Sequence, residues 1–220
     1  MTLASERSEF IRKVYLNLAM GFAGFIALES FLVTWQPAVE LAQKMVAGNN
    51  WLIVLLAFMG VSWVANAWAI NGATLSKQYA GFALYIIAES VIFLPLLIVA
   101  NAIAPDTIPQ AGIITAALTA GISAYAFFSK KDFSFLGSFL TIASFVALGI
   151  IVCAILFGMQ LGLWFSGAMI VFAGLVVLYQ TSAIIRQYRN DQYVAAALGL
   201  FAAIALMFWY ILQFLMARRD

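Results

Sequence analysis

Residues 194–215 read VAAALGLFAAIALMFWYILQFL, a run without a single charged side chain. A helix needs about 20 such residues to cross a hydrocarbon core about 30 Å thick. Ala195, Gly199 and Ala203 recur at every fourth position of this run and so share one face. A face of small side chains lets other backbones come close, as suits a helix surrounded by other helices. Six further apolar segments precede it, at 14–35, 51–70, 80–100, 111–128, 138–159 and 162–180. The pattern predicts an all-α integral membrane protein with seven transmembrane helices. Lipid offers no partner to a free backbone N–H or C=O, so helices are the expected spans, and the short alternating segments of a β-barrel are absent.

Composition agrees with that solvent. Of 220 residues, 65% are hydrophobic and 9% charged, too little polar surface to cover a water-soluble globule. A net charge of +2, spread along the chain, offers no nucleic-acid footprint. The chain has no histidine and one cysteine, Cys153, which excludes an internal disulfide, a thiol metal cluster and histidine-based catalysis or metal ligation. No catalytic residue, cofactor site or metal site is expected.

The connections are short and no repeat or linker stands out, so residues 1–220 are read as one domain. Residues 1–13 form a polar N-terminal segment ending in Arg12 and Lys13. The apolar run behind them is longer than a signal peptide's core of about 7–15 residues and is read as a retained span. In 36–50, Val39, Ala42, Met45 and Val46 fall on one helical face and Glu40 and Lys44 on the other, as in a short helix lying in the membrane interface. Trp35, Trp51, Trp164 and Tyr193 stand at span ends, where amphipathic rings settle.

Orientation follows from the cations. With seven spans, one side carries Arg7, Arg12, Lys13, Lys77, Lys130, Lys131, Arg186 and Arg189, and the other Lys44, Arg218 and Arg219. The positive-inside rule then places the N-terminus in the cytoplasm. A re-entrant last segment with a cytoplasmic C-terminus is the minority alternative.

Two carboxylates interrupt the spans, Glu29 and Glu89. At a helix centre an acidic side chain costs about 2.5–3.5 kcal/mol on insertion scales, so such residues face a bundle interior or a wet cavity. Six residues after Glu89 comes Pro95, which has no N–H for the carbonyl of Val91, so a kink is expected there. Glu89, Ser90 and that carbonyl together suit an ion or proton site. The competing reading makes Glu89 a packing device, protonated or bonded to a neighbour such as Asn66. Glu29, six residues before Trp35, stands within reach of interfacial water. In the fourth span, Ala116, Ala120 and Ala124 repeat the small-residue spacing and read first as a packing face.

The most distinctive polar stretch is Lys131, Asp132, Phe133, Ser134, Phe135, Leu136 and Gly137, following Ser129 and Lys130. Physically it is a tight hairpin between two spans with lysines as topology anchors. The whole run 128–140 closely resembles the K-D-F-S-F-L-G segment of the Bax inhibitor-1 family (the transmembrane BAX inhibitor motif proteins). Further patches agree in order: Arg12 to Tyr15, Pro95 to Leu97, Leu178 to Ile185, and Tyr193 to Leu198. The resemblance covers nearly the whole chain and implies seven helices with the last enclosed by the other six.

That family's calcium-leak members carry two aspartates, in the sixth and seventh spans, which share protons and gate the pore with pH. Here the matching positions are Gln180 and, aligning Leu200 to Ala203, Ala203. Neither titrates, so that gate cannot operate here unless Glu29 or Glu89 supplies the charge. Thr181, Ser182, Ile184, Ile185 and the ending Arg219–Asp220 are more similar to the bacterial inner-membrane branch that modulates the protease FtsH. The resemblance thus implies a non-enzymatic, multi-pass inner-membrane protein of stress tolerance or membrane-protein quality control. The rivals are a pH-sensitive leak for calcium, other cations or protons, and a structural scaffold.

Overall fold

In the computed structural model, residues 3–71, 74–129 and 131–218 are described. Lys130, Arg219 and Asp220, used above for orientation and for the branch resemblance, lie outside the described residues. The described chain forms α1 (Leu3–Leu32), α2 (Gln36–Val46), α3 (Asn50–Asn71), α4 (Leu75–Ile103), α5 (Thr107–Phe128), α6 (Leu136–Phe157), α7 (Leu163–Arg186) and α8 (Tyr193–Ala217). All but α2 are long and apolar enough to cross a membrane. Large side chains left exposed along them, such as Trp63, Ile113, Phe145 and Val171, would be insoluble in water and mark the lipid-facing surface.

Several boundaries differ from the sequence reading, two of them by more than five residues. α1 begins at Leu3, so residues 3–13 continue the first helix. Glu9 and Lys13, one turn apart and 2.8 Å from each other, support that extension. α7 runs six residues beyond 180, to Arg186, whose cation complements the helix's carbonyl end. The short helix expected in 36–50 is α2, which packs on α3. Its buried side is Ala38, Ala42 and Met45, while Leu41, Glu40, Lys44 and Val46 are exposed. The apolar face is thus rotated from the expected one, with Val46 outside it. Pro37 in the first turn fits the helix start, where no intrahelical N–H is needed.

The contacts divide the chain into two compact units, Met1–Pro95 with Gln187–Phe201, and Leu96–Arg186 with Ala202–Asp220. α4 and α8 run through both, and α4 continues past Pro95 to Ile103.

In the first unit, α1 buries Phe10, Val14, Leu18, Phe25 and Glu29, a stripe at helical spacing. The Phe201 ring lies among Phe22 (4.6 Å between centroids), Phe25 (5.9 Å), Phe82 (5.9 Å) and Tyr85 (6.2 Å). At the chain's N-terminal end, the Arg7 guanidinium donates to the carbonyl of Tyr188 (2.7 Å) and to Asn190 Oδ1 (3.1 Å), and Lys13 stands over the Tyr193 ring. In the second unit α7 packs on both α5 and α6, and the Ser123 and Thr181 hydroxyls meet at 3.3 Å. Phe165 meets Tyr210 edge-on. Gly158, at φ 64°, ends α6 in the left-handed conformation that glycine adopts without strain.

Burial of α8 decides the architecture. In its most apolar stretch 72% of residues are buried, against 11–50% in the other six spanning helices. Val194 to Leu198 are buried in five successive positions, which covers every side of the helix. A helix apolar and buried all round is a central one. Ala195 and Ala203, from the face read in the sequence, are both buried. The corresponding expectation for α5 fails: Ala116, Ala120 and Ala124 are all exposed. α5 packs on α7, with Ser123 meeting Thr181, and its buried side carries Ala111, Thr115, Ser123 and Ala126, which leaves the alanine stripe pointing outward.

Candidate functional site

α1 and α4 of the first unit carry the two carboxylates. Glu29 and Glu89 are each 5% exposed and Ser90 is fully buried. Glu29 therefore points inward, not toward interfacial water. Glu89 is close enough for its charge to act on Glu29. The partner of Glu89 is Tyr85, one turn earlier on α4, whose phenol hydrogen-bonds the carboxyl. Asn66 instead donates to the carbonyl of Ser62 on its own helix, at 2.9 Å. Both oxygens of Glu29, Oε2 of Glu89 and Oγ of Ser90 are buried without a hydrogen-bond partner among the described residues. No lysine or arginine among those residues acts on either carboxyl. A buried ionised carboxylate without a counter-charge is costly, so its charge must be cancelled by a proton or a bound cation.

Tyr85 is the participant that the sequence reading missed. A tyrosine in an apolar helix looks like core, but its place four residues before a carboxylate is a usable signal. It also ties the acid to the core: its ring is 6.2 Å from Phe201 and 6.1 Å from Phe58.

The hairpin motif lies in the second unit and is anchored to α7. Phe133 is buried, and its backbone N–H donates to Ser182 Oγ at 3.2 Å. Asp132 accepts from the backbone N–H and the hydroxyl of Ser134, closing the turn. Those bonds, with the charge of Arg186, hold the Asp132 carboxyl below the usual aspartate range. Gly137 lies under the Tyr179 ring, where a Cβ would approach to 3.2 Å. Lys131, Asp132 and Phe135 are exposed, and Leu136 is half-buried. The segments 132–137 and 179–186, far apart in sequence, thus meet as one structure.

Gln180 belongs to this second unit and is half-buried; Ala203 is buried at 2% exposure. Among the described residues no group of three or more His, Cys, Asp or Glu could hold a metal ion.

The profile described as "Inhibitor of apoptosis-promoting Bax1" matches residues 7–220. The chain belongs to the Bax inhibitor-1 family. An uncharacterised protein of Pseudomonas aeruginosa is 29% identical over 218 residues, covering 94% of this chain and 89% of the relative. The Golgi anti-apoptotic protein of Vaccinia virus (strain Lister) is 28% identical over 223 residues, with 95% and 85% covered. Mouse protein lifeguard 4 is 29% identical over 228 residues, with 96% and 86% covered. These matches run nearly end to end, so the hairpin and the buried acids both lie within the Bax inhibitor-1 region.

Proposed function

We propose that this Bax inhibitor-1 family protein is a leak pathway for protons or small cations across a bacterial inner membrane, with its N-terminus in the cytoplasm. One observation carries the reading: two buried carboxyls on different helices stand close enough for the charge of Glu89 to act on Glu29, with oxygens left unpartnered and no basic residue among the described residues to neutralise them. A group that only locks packing gains most when its hydrogen-bonding capacity is filled, because a partly satisfied buried network destabilises. Here one tyrosine bonds one of the two acids, and the other has no hydrogen-bond partner among the described residues. In purified protein reconstituted into liposomes, cation or proton flux should exceed that of empty vesicles, and Glu89→Gln should return it to their level. Flux equal to empty vesicles for the unaltered protein rejects the leak.

A second reading, modulation of the membrane protease FtsH, draws on the hairpin. Its backbone is fixed by Ser182 while Lys131, Asp132 and Phe135 stay exposed, a preordered surface for a protein partner. It requires co-purification with FtsH that is lost when Lys131 and Phe135 are replaced together by alanine. Unchanged decay of FtsH membrane substrates after deletion of the gene counts against it.

A further inference from the structure

We infer that the species held by the Glu29–Glu89 pair is an exchangeable proton, not a metal ion. The inference deepens the leak reading, and only its transport half rests on that reading.

Donor number and charge decide between the two. Calcium takes about 6–8 oxygen ligands and magnesium a near-octahedral set of about six. The oxygens left open here are both of Glu29, Oε2 of Glu89 and Oγ of Ser90. The remaining bond to Glu89 comes from the Tyr85 phenol, a donor that competes with a cation for the same carboxyl. Backbone help is scarce: mid-helix carbonyls are spent on their own helices apart from that of Val91, which Pro95 leaves without an N–H, and in the last turn of α1 those of Glu29, Phe31 and Leu32 accept from Val33, Thr34 and Trp35. A resident metal ion would thus be under-coordinated.

A proton answers both deficits. Placed on a carboxyl, it cancels that group's charge and turns one acceptor oxygen into an O–H donor. A buried carboxyl with a second acid acting on it keeps its proton more firmly, because both cannot remain ionised. The groups acting on the pair are few. Of the titratable side chains in range, Tyr85 acts on Glu89 and Glu89 acts on Glu29; no lysine, arginine or third carboxyl among the described residues contributes. With one proton bound the pair carries a single negative charge, and with two it is neutral. Release of the second proton from one carboxyl to water, and its rebinding, is the exchange that a leak would use.

The experiment uses the full-length protein in two formats. In liposomes holding a pH dye or a calcium dye, an external acid step or added calcium is followed with potassium and valinomycin present to clamp the potential. Proton entry above empty vesicles is expected, lost in Glu29→Gln and in Glu89→Gln, with calcium entry no faster than in empty vesicles. Independently, infrared spectra of the protein in H2O and D2O should contain an exchangeable carboxylic-acid C=O band that is missing from the Glu29→Gln/Glu89→Gln double variant. Calcium entry abolished by Glu89→Gln, without proton entry, keeps the leak and overturns the proton. An acid band that disappears in the double variant, with no flux of either ion, keeps the protonated pair and rejects the leak. Absence of an acid band in the unaltered protein overturns the inference, and that reading needs no variant to fold.

Discussion

Phe201→Ala is expected to cost about 3–4 kcal/mol of stability, because it removes the ring around which the first unit packs. Phe201 is fully buried, and four aromatic rings from α1 and α4 surround it at 4.6–6.2 Å. Tilted and edge-on pairs of this kind add to simple contact, about 0.5–1.5 kcal/mol each in double-mutant cycles. The value lies low in the range known for water-soluble cores because lipid, like the protein interior, is apolar. What is lost is packing and not transfer from water. Unfolding in mixed detergent micelles with rising dodecyl sulfate measures it. The control is Leu16→Ala on α1, where the side chain is 53% exposed and faces lipid. A loss at Phe201 no larger than at Leu16 would show that α8 is not a packing centre. The same substitution removes the ring beside Tyr85, so proton entry in Phe201→Ala reports whether the aromatic cluster holds the acids in place.

The spans were legible because membrane helices declare themselves by length and hydropathy, which are local properties. Each of the seven apolar segments became one helix. Their ends were less legible. Residues 3–13 are polar and would be a solvated tail by composition, yet the Glu9–Lys13 pair and the burial of Phe10 carry α1 through them. α2 was recognisable by its two-faced pattern, but the face came out rotated because it is set by α3 and not by hydropathy alone. The alanines of α5 mislead for a related reason. Small-residue spacing states that a close approach is available, and α5 uses its other side.

In the candidate site, the carboxylates could be picked out since charge inside an apolar run is conspicuous. Which groups meet them was not legible. Tyr85 is separated from other tyrosines only by its register with Glu89, and Asn66, polar and nearby in the pattern, bonds to its own helix instead. The joining of Phe133 to Ser182 and of Gly137 to Tyr179 depends on how α5, α6 and α7 pack. Composition carries no trace of it. The ordered motif patches did hold that information, as the pieces of one anchored hairpin.

Gly81 shows how a single atom can decide a helix crossing. It is buried on α4 against α3, and a Cβ there would lie 2.6 Å from the carbonyl oxygen of Ala65, 2.9 Å from the backbone N of Ala69 and 2.9 Å from Cβ of Trp68. Two of those atoms are backbone, so no rotamer change relieves the clash and α3 must move away from α4. Gly81→Ala is therefore expected to destabilise by about 3 kcal/mol, at the high end for a small overpacking change. Gly24 on α1 and Gly60 on α3 are the comparison, because a Cβ at either meets nothing within 4 Å. There alanine should gain up to about 1 kcal/mol through helix propensity. Opposite signs at Gly81 and Gly60, read by the same dodecyl sulfate titration, would place the α3–α4 crossing where the structure has it. A neutral Gly81→Ala would instead mean that the two helices do not touch at that point. Because Tyr85 and Glu89 follow Gly81 at one and two turns along the same helix, a displaced α4 should also disturb the acid pair, and the variant's infrared acid band should shift or broaden where that of Gly60→Ala does not.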